Sequence, residues 1–295
     1  MATFTLHQPE SVTEALDLLA AHAEADTHVI AGGTSMVLLM NMGLVQPEHV
    51  IALRKIPDLR GITAGADGSL TIGALATHRQ LEVAPEVRAY APALSDTFRQ
   101  VATVRIRNQA TLGGNLVHAD PAQDPPPMLI ALDASVTLRS QSGERTLTVE
   151  ELFVDYLTTQ LQPGELLTSV YLPPLAAGTR AVYLKFLPRT QDDYATVSVA
   201  AAGRLNADGR CEHLRVALGG AASVPLRVRA VEDALIGEML TDANIAEAAA
   251  RVDGLVDPPD DARGSATYKR RMARVWTERA LRALRDQPGQ NDGGH

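Results

Sequence analysis

The chain contains a single cysteine, Cys211, and that scarcity excludes several chemistries at once. One thiol forms no intramolecular disulfide, which fits a reducing compartment. It holds no iron–sulfur cluster by itself either, because such clusters usually take about four thiolates. Aromatic residues are scarce, at 4% with a single tryptophan, so Ala, Leu and Val have to fill most of the core. No basic run occurs, and none alternates with aromatics; this argues against a nucleic-acid partner, since phosphate binding needs clustered Lys and Arg. No apolar run approaches ~20 residues, so no transmembrane segment is expected. Met1 to Leu6 lacks a basic region leading into an apolar core. No signal peptide is expected, and the expected location is cytoplasmic or peripheral to the inner face of the membrane. The eight histidines are scattered without H-x-x-x-H or H-E-x-x-H spacing, and no metal site is expected on this chain.

What is present describes a globular protein. Its 295 residues suffice for one large domain or two moderate ones. A hydrophobic share of 45%, a charged share of 21% and a net charge of −8 are those of a soluble chain. Phe4 to Leu6, His28 to Ala31 and His49 to Leu53 read as strands. Ser11 and Glu14 start a helix, and Met36 to Met40 continue as one after a glycine pair. Further on, Ser69 to Ala74 alternates at strand period. Helices are expected at Thr77 to Val83, Pro85 to Val101 and Pro126 to Leu132. A hairpin is expected through Val136, Gly143 and Val149, and a strand at Leu166 to Leu172. Pro173 to Gly178 is the best internal boundary. Beyond it, strands at Arg180 to Leu187, Thr196 to Leu205 and Glu212 to Leu218 precede helices at Arg227 to Ile236, Asp242 to Ala250 and Tyr268 to Leu284. The fold class is α+β. The expected domains are 1–173, with subdomains of about 1–55 and 56–173, then 178–285, with a disordered tail at 286–295.

Two glycine segments carry the chemistry. Ala31-Gly32-Gly33-Thr34-Ser35 lies between a strand and a helix. Glycines there let backbone N–H groups approach a phosphate, and the hydroxyls add donors. Thr111-Leu112-Gly113-Gly114-Asn115 reads as a second glycine-rich loop. Neither fits G-x-G-x-x-G or the phosphate loop ending in Gly-Lys-Ser/Thr, so nicotinamide-type binding and ATP hydrolysis are disfavoured. Two such loops can clamp one pyrophosphate from both sides. A tight turn without a ligand is the competing reading of each. Arg105 and Arg107 are equally good as loop anchors, interface charges or ligands, and Asp120-Pro121 reads as a turn.

The surroundings are more specific. R-N-x-A-T-L-G-G-N-x-x-x-A-D-P-x-x-D, from Arg107 to Asp124, resembles the FAD-binding medium subunit of the xanthine dehydrogenase and aerobic carbon monoxide dehydrogenase family of molybdenum hydroxylases. A-G-G-T-S, P-G-E-L-L at Pro163 to Leu167, Y-L-K-F at Tyr183 to Phe186 and R-x-x-D-D-Y-A at Arg189 to Ala195 are similar to other segments of that family, in family order, over residues 1–285. Where many relatives of the carbon monoxide type have histidine, this chain has Thr34, which weakens any assignment of carbon monoxide as substrate.

The resemblance implies an oxidoreductase subunit with a two-subdomain FAD-binding domain of the vanillyl-alcohol oxidase-like (PCMH-type) class. A smaller C-terminal domain with a three-stranded antiparallel sheet and helices would follow. It implies noncovalent FAD, with Ala31, Gly32, Gly33, Thr34, Ser35, Thr111, Gly113, Gly114 and Asn115 on the pyrophosphate. Asp124 would bond the ribose or adenine-side hydroxyls, and Leu166 or Leu167, Lys185 and Tyr194 would lie near the isoalloxazine. It assigns no catalytic residue to this chain. The molybdenum cofactor and [2Fe-2S] clusters would sit on a large molybdopterin subunit and a small iron–sulfur subunit, in a dimer of heterotrimers. A stand-alone flavin oxidase of the same fold class, or a nucleotide-binding structural subunit, are the alternatives. The substrate and the final acceptor are not encoded here.

Overall fold

A computed structural model describes residues 3–187, 190 and 192–287. The chain opens with β1 (Thr5–His7), α1 (Val12–Ala21), β2 (Thr27–Ile30), α2 (Met36–Asn41) and β3 (His49–Ala52), and β3 runs parallel between β1 and β2. Ser11 starts α1 by accepting a hydrogen bond from the Glu14 N–H at 3.1 Å. After two short 3-10 turns come β4 (Ile62–Ala64) and β5 (Leu70–Gly73). A run of helices follows: α3 (His78–Val83), α4 (Pro85–Tyr90), α5 (Pro92–Arg99), α6 (Val104–Arg107), α7 (Leu112–His118) and α8 (Pro125–Ala131). Then β6 (Ser135–Ser140) and β7 (Gly143–Thr148) form the expected hairpin, and α9 (Val149–Leu152), β8 (Phe153–Asp155), β9 (Thr158–Thr159) and β10 (Leu166–Leu172) complete this part. β4-β5-β10-β6-β7 make one antiparallel sheet. The remainder is β11 (Arg180–Phe186), β12 (Val197–Leu205), β13 (Cys211–Gly219), β14 (Leu226–Arg227), α10 (Arg229–Leu235), α11 (Asp242–Ala250) and α12 (Ala266–Asp286).

Several expectations are corrected. Pro85 to Val101 is not one helix: Pro92 pushes Ala91 into an extended conformation, and the helix restarts as α5. Thr111 to Asn115 is not a loop, because Thr111 caps α7 and both glycines lie in its first turn. The C-terminal sheet has four strands, β11-β12-β13-β14, since Leu226 and Arg227 pair with β13 and α10 starts only at Arg229. Helix α12 continues through Asp286, where the tail was expected to begin. Pro288 to His295 lie outside the described residues, as does Arg189 of the R-x-x-D-D-Y-A segment. No described helix is long and apolar enough to cross a membrane.

The C-terminal sheet is covered on both faces, and strand alternation sorts its residues. Val182, Val199, Ala201, Leu214, Val216 and Leu218 pack beneath α10, α11 and α12. Tyr183, Ala200, Ala202 and Ala217 turn the other way, into the core that holds Leu94, Phe98, Met128 and Leu129. The small side chains on that face let α8 lie close, so Lys185 and Tyr183 point at the start of α8. Cys211 is buried with its thiol pushed up to about 11, chiefly by burial. Trp276 on α12 stacks on Phe186 at 5.2 Å and lies under Arg279.

Candidate functional site

The two glycine segments touch, yet they are built differently. A Cβ at Gly32 would lie 2.0 Å from the Gln109 carbonyl oxygen, so the first segment rests on the chain leading into α7. A Cβ at Gly114 would lie 3.7 Å from the Ala31 Cβ, which sets the segments side by side. Gly33 has φ +78°, a conformation that favours glycine. Among the described residues, the backbone N–H groups of Gly32, Gly33, Thr34 and Ser35 have no hydrogen-bond acceptor within the chain. Ser35 likewise makes no side-chain capping bond to α2. Four successive free donors beside two hydroxyls suit an anion.

The first turn of α7 is the opposite case. The Leu112 and Gly113 N–H groups donate to Ala76 and Ala74 carbonyls at 2.9 and 2.8 Å. The Gly114 N–H donates to Thr111 Oγ1 at 3.2 Å, and the Asn115 N–H to the Thr111 carbonyl at 2.9 Å. From Leu112 to Asn115, every backbone N–H therefore has an acceptor within the chain. The glycines of this segment serve close approach instead. Gly113 is buried with its Cβ position 2.7 Å from Ala74 Cβ, whereas Gly114 is exposed and leaves space in front of Ala31. His78 lies beneath this segment, bonded through its N–H to the Ala110 carbonyl and stacked on Phe98. Burial and the nearby Arg107 charge hold its pKa down at about 4. Arg107 itself is a loop anchor: it pairs with Glu82 at 2.9 Å and donates to the Val101 and Ala102 carbonyls. Asp120 shapes its turn by accepting from the Ala122 N–H at 2.8 Å.

Behind α7, Asp124 is buried and accepts hydrogen bonds from Tyr183 Oη at 2.5 Å and Lys185 Nζ at 2.9 Å. Lys185 also donates to the Gln100 carbonyl at 2.9 Å. Burial pushes the Asp124 carboxyl above its usual range, opposed by the Lys185 charge and both hydrogen bonds. Separate ends of an extended dinucleotide were expected for Asp124 and Lys185. One ion pair joins them, so they act at a single place. Tyr194 stands near them. Desolvation first, then the charges of Asp120 and Asp124, push its phenol up to about 12, and Arg263 lies over its ring. Leu166 and Leu167 lie on β10. Leu166 packs with Val12, Ile51 and Leu75, and Leu167 joins the central core, so both side chains are buried.

Some parts were missed in the sequence. Tyr183 belongs to the Asp124 pair. Gly219-Gly220 docks the C-terminal sheet onto the segment before Asp124, with the Gly220 N–H donating to the Pro121 carbonyl at 2.7 Å. Strand register could have flagged Tyr183, two residues from Lys185 and on the same face. Buried polar atoms of Asn115, Gln123 and Thr196 have no partner in the chain. Such atoms call for a ligand or water. Together with the free N–H row, they make the residues fit a polar, anionic cofactor such as FAD. His7, His22 and His49, scattered in sequence, also converge, and metal-ligand spacing rules had given no sign of it.

Comparison with known proteins agrees with this layout. Residues 2–175 match the family described as "FAD binding domain in molybdopterin dehydrogenase", and residues 182–284 match "CO dehydrogenase flavoprotein C-terminal domain". The chain is 37% identical to the 6-hydroxypseudooxynicotine dehydrogenase complex subunit alpha of Paenarthrobacter nicotinovorans, over 92% of this chain and 91% of that one. It is 34% identical to the carbon monoxide dehydrogenase medium chain of Hydrogenophaga pseudoflava, over 95% and 96%. A solved structure of carbon monoxide dehydrogenase from Hydrogenophaga pseudoflava, lacking the Mo-pyranopterin moiety of its cofactor, superimposes with a TM-score of 0.92 at 35% identity, over 95% and 96%.

Proposed function

The chain belongs to the family of FAD-binding subunits of molybdopterin dehydrogenases, and from that premise we propose that it transfers electrons while a partner binds the organic substrate. It is an oxidoreductase subunit with a PCMH-type FAD-binding domain followed by a flavoprotein C-terminal domain. When bound, FAD supplies redox chemistry in one- and two-electron steps. The chain's own residues bind and orient it noncovalently. Gly32 to Ser35 donate to the pyrophosphate, Gly114 keeps the approach open, and Asp124, Lys185 and Tyr194 hold the polar and aromatic surroundings of the ring end. The row of unpartnered N–H groups beside Gly114 carries this reading.

The donor of electrons is a small subunit with [2Fe-2S] clusters, and the substrate belongs to a large molybdopterin subunit, in a dimer of heterotrimers. The single cysteine supports the first half, since this chain cannot hold a cluster alone. The relatives support the second. One is named for carbon monoxide and another for 6-hydroxypseudooxynicotine, two unlike molecules served by similar chains. Substrate choice is therefore made elsewhere in the complex. The Pro173 to Gly178 stretch separates the two domains.

The purified chain is expected to be yellow, to release its flavin into the supernatant after acid precipitation, and to hydroxylate nothing alone. Adding the two partner chains is expected to restore substrate-dependent dye reduction. Turnover by the chain alone, with no molybdenum detectable, would overturn the proposal in favour of a stand-alone oxidase.

A further inference from the structure

Three histidines far apart in sequence meet at one end of the first sheet. His7 ends β1, His49 begins β3 beside it, and His22 closes α1 where the helix returns over the sheet. His7 Nε2 lies 3.0 Å from His49 Nδ1. The His22 and His49 rings stack at 3.8 Å between centroids, and His7 lies 4.9 Å from His22. One nitrogen from each ring falls within 4.8 Å of the other two, and all three side chains are half-buried. Among the described residues, no other group of histidine, cysteine or carboxylate side chains converges in this way.

The backbone beneath the rings is fixed. Thr27 Oγ1 donates to the His22 carbonyl at 3.0 Å, and the His49 and Glu48 N–H groups both donate to the Asp26 carbonyl. The nearest carboxylate pairing is outside the trio: Asp26 is held by His28 at 2.9 Å. Without a cation the trio is poorly matched. One hydrogen bond joins two of the rings, and the stacked third gains no polar partner within the chain. A divalent ion with a taste for nitrogen reverses this. In a tetrahedral site with Zn–N bonds of about 2.05 Å, ligand nitrogens stand about 3.3 Å apart, close to the spacing already held by His7 and His49. Side-chain rotation brings in His22, and the half-exposed side leaves a fourth position for water.

We propose that His7, His22 and His49 form a surface site for a single divalent transition-metal ion of the zinc type. Borderline-soft cations fit three imidazoles, whereas Mg²⁺ and Ca²⁺ demand oxygen. Bound metal ties β1, β3 and the end of α1 together, and so stiffens the sheet from which β2 delivers the Ala31 to Ser35 segment. Among the described residues no carboxylate hydrogen-bonds the three rings, so the affinity is lower than that of a site whose imidazoles are backed by carboxylates.

The test uses the full chain without a histidine tag and Zn²⁺ as the probe. A chromophoric chelator competition reads affinity, and thermal melting reads the coupling to the fold. One equivalent is expected to bind, and Zn²⁺ but not Mg²⁺ is expected to raise Tm. Losing an outer-sphere partner alone costs about 10–100-fold in affinity, so His22→Gln and His49→Gln are each expected to weaken binding by at least about 100-fold. His28→Gln, outside the trio, is expected to leave it unchanged. Absence of saturable binding in the parent protein overturns the proposal. So does binding that survives both His22→Gln and His49→Gln, or that disappears with His28→Gln. His22→Gln lies at a half-buried helix end, so a folded variant is expected, and its unliganded Tm checks this.

Discussion

Gly32-Gly33 and Gly113-Gly114 look like the same device in sequence and turn out to be opposites. The first pair leaves a row of N–H groups unclaimed. The second sits in a capped helical turn whose N–H groups are all claimed by Ala74, Ala76 and Thr111. Within each pair the roles divide again. Gly32 and Gly113 are glycine because backbone or Ala74 occupies the space of a Cβ, whereas Gly33 holds a φ of +78° and the exposed Gly114 would set a Cβ against the Thr111 hydroxyl and Ala31 alone. Adjacent glycines therefore do different work: one permits packing and its neighbour permits a ligand.

The largest expected effect tests the packing half. Gly32→Val drives a side chain into the Gln109 carbonyl and is expected to cost at least about 3 kcal/mol, with saturating FAD giving little rescue. Gly113→Val is expected to behave similarly against Ala74. Urea denaturation with and without added FAD measures both, and full stability in either variant breaks the division.

Acid separates the segments next, because only the second rests on a buried titratable group. His78 is neutral in the fold with a pKa of about 4, below the 6.5 of an unfolded histidine. The unfolded chain therefore binds the extra proton, and stability is complete above pH ~6.5 and falls as pH drops towards about 4. At 1.36 kcal/mol per pH unit the loss reaches about 2.5 kcal/mol by pH ~4.5. His78→Phe, which keeps the stacking on Phe98, is expected to flatten the dependence of the urea midpoint on pH in this range. An unchanged slope would remove His78 as the cause.

Gly114→Val tests the ligand half. It is expected to lower FAD affinity about a hundredfold, equivalent to about 2.7 kcal/mol, while its Cβ, 2.9 Å from the Thr111 hydroxyl that caps α7, lowers the flavin-free melting temperature less than Gly32→Val does. Gly33→Val is a less clean probe, since φ +78° also strains the fold. Flavin-to-protein absorbance ratios decide, and full flavin content in Gly114→Val would mean that the segment is only a helix start. The smallest effect is the control. Gly143 has φ +139° in the β6–β7 turn with nothing within 4 Å, so Gly143→Val is expected to cost about 1 kcal/mol without altering flavin content.

Local signals in the sequence were read well where the physics is local. The Ser11 cap, the β6–β7 hairpin and the long C-terminal strands follow from capping, turn and alternation rules. Helix α7 was missed because two glycines oppose helix formation by about 1 kcal/mol each relative to alanine. The fold overrides that preference through the Thr111 cap and two carbonyls of the Ala74 to Ala76 turn. Asp124 and Lys185 were both singled out, but not their contact, since 61 residues separate them and only the packing of α8 on β12 and β13 brings them together. The histidine trio was invisible for the same reason: no spacing rule spans two strands and a helix end.

The lone tryptophan has a practical consequence. Trp276 is wedged between Phe186 and Arg279 on the C-terminal helix, against a core separate from the glycine segments. Its emission therefore reports melting of one domain, while release of flavin fluorescence reports the other. Two optical clocks in one cuvette make cooperativity directly visible: coincident transitions mean that the shared face of the C-terminal sheet binds the domains into one unit, and separated transitions mean two.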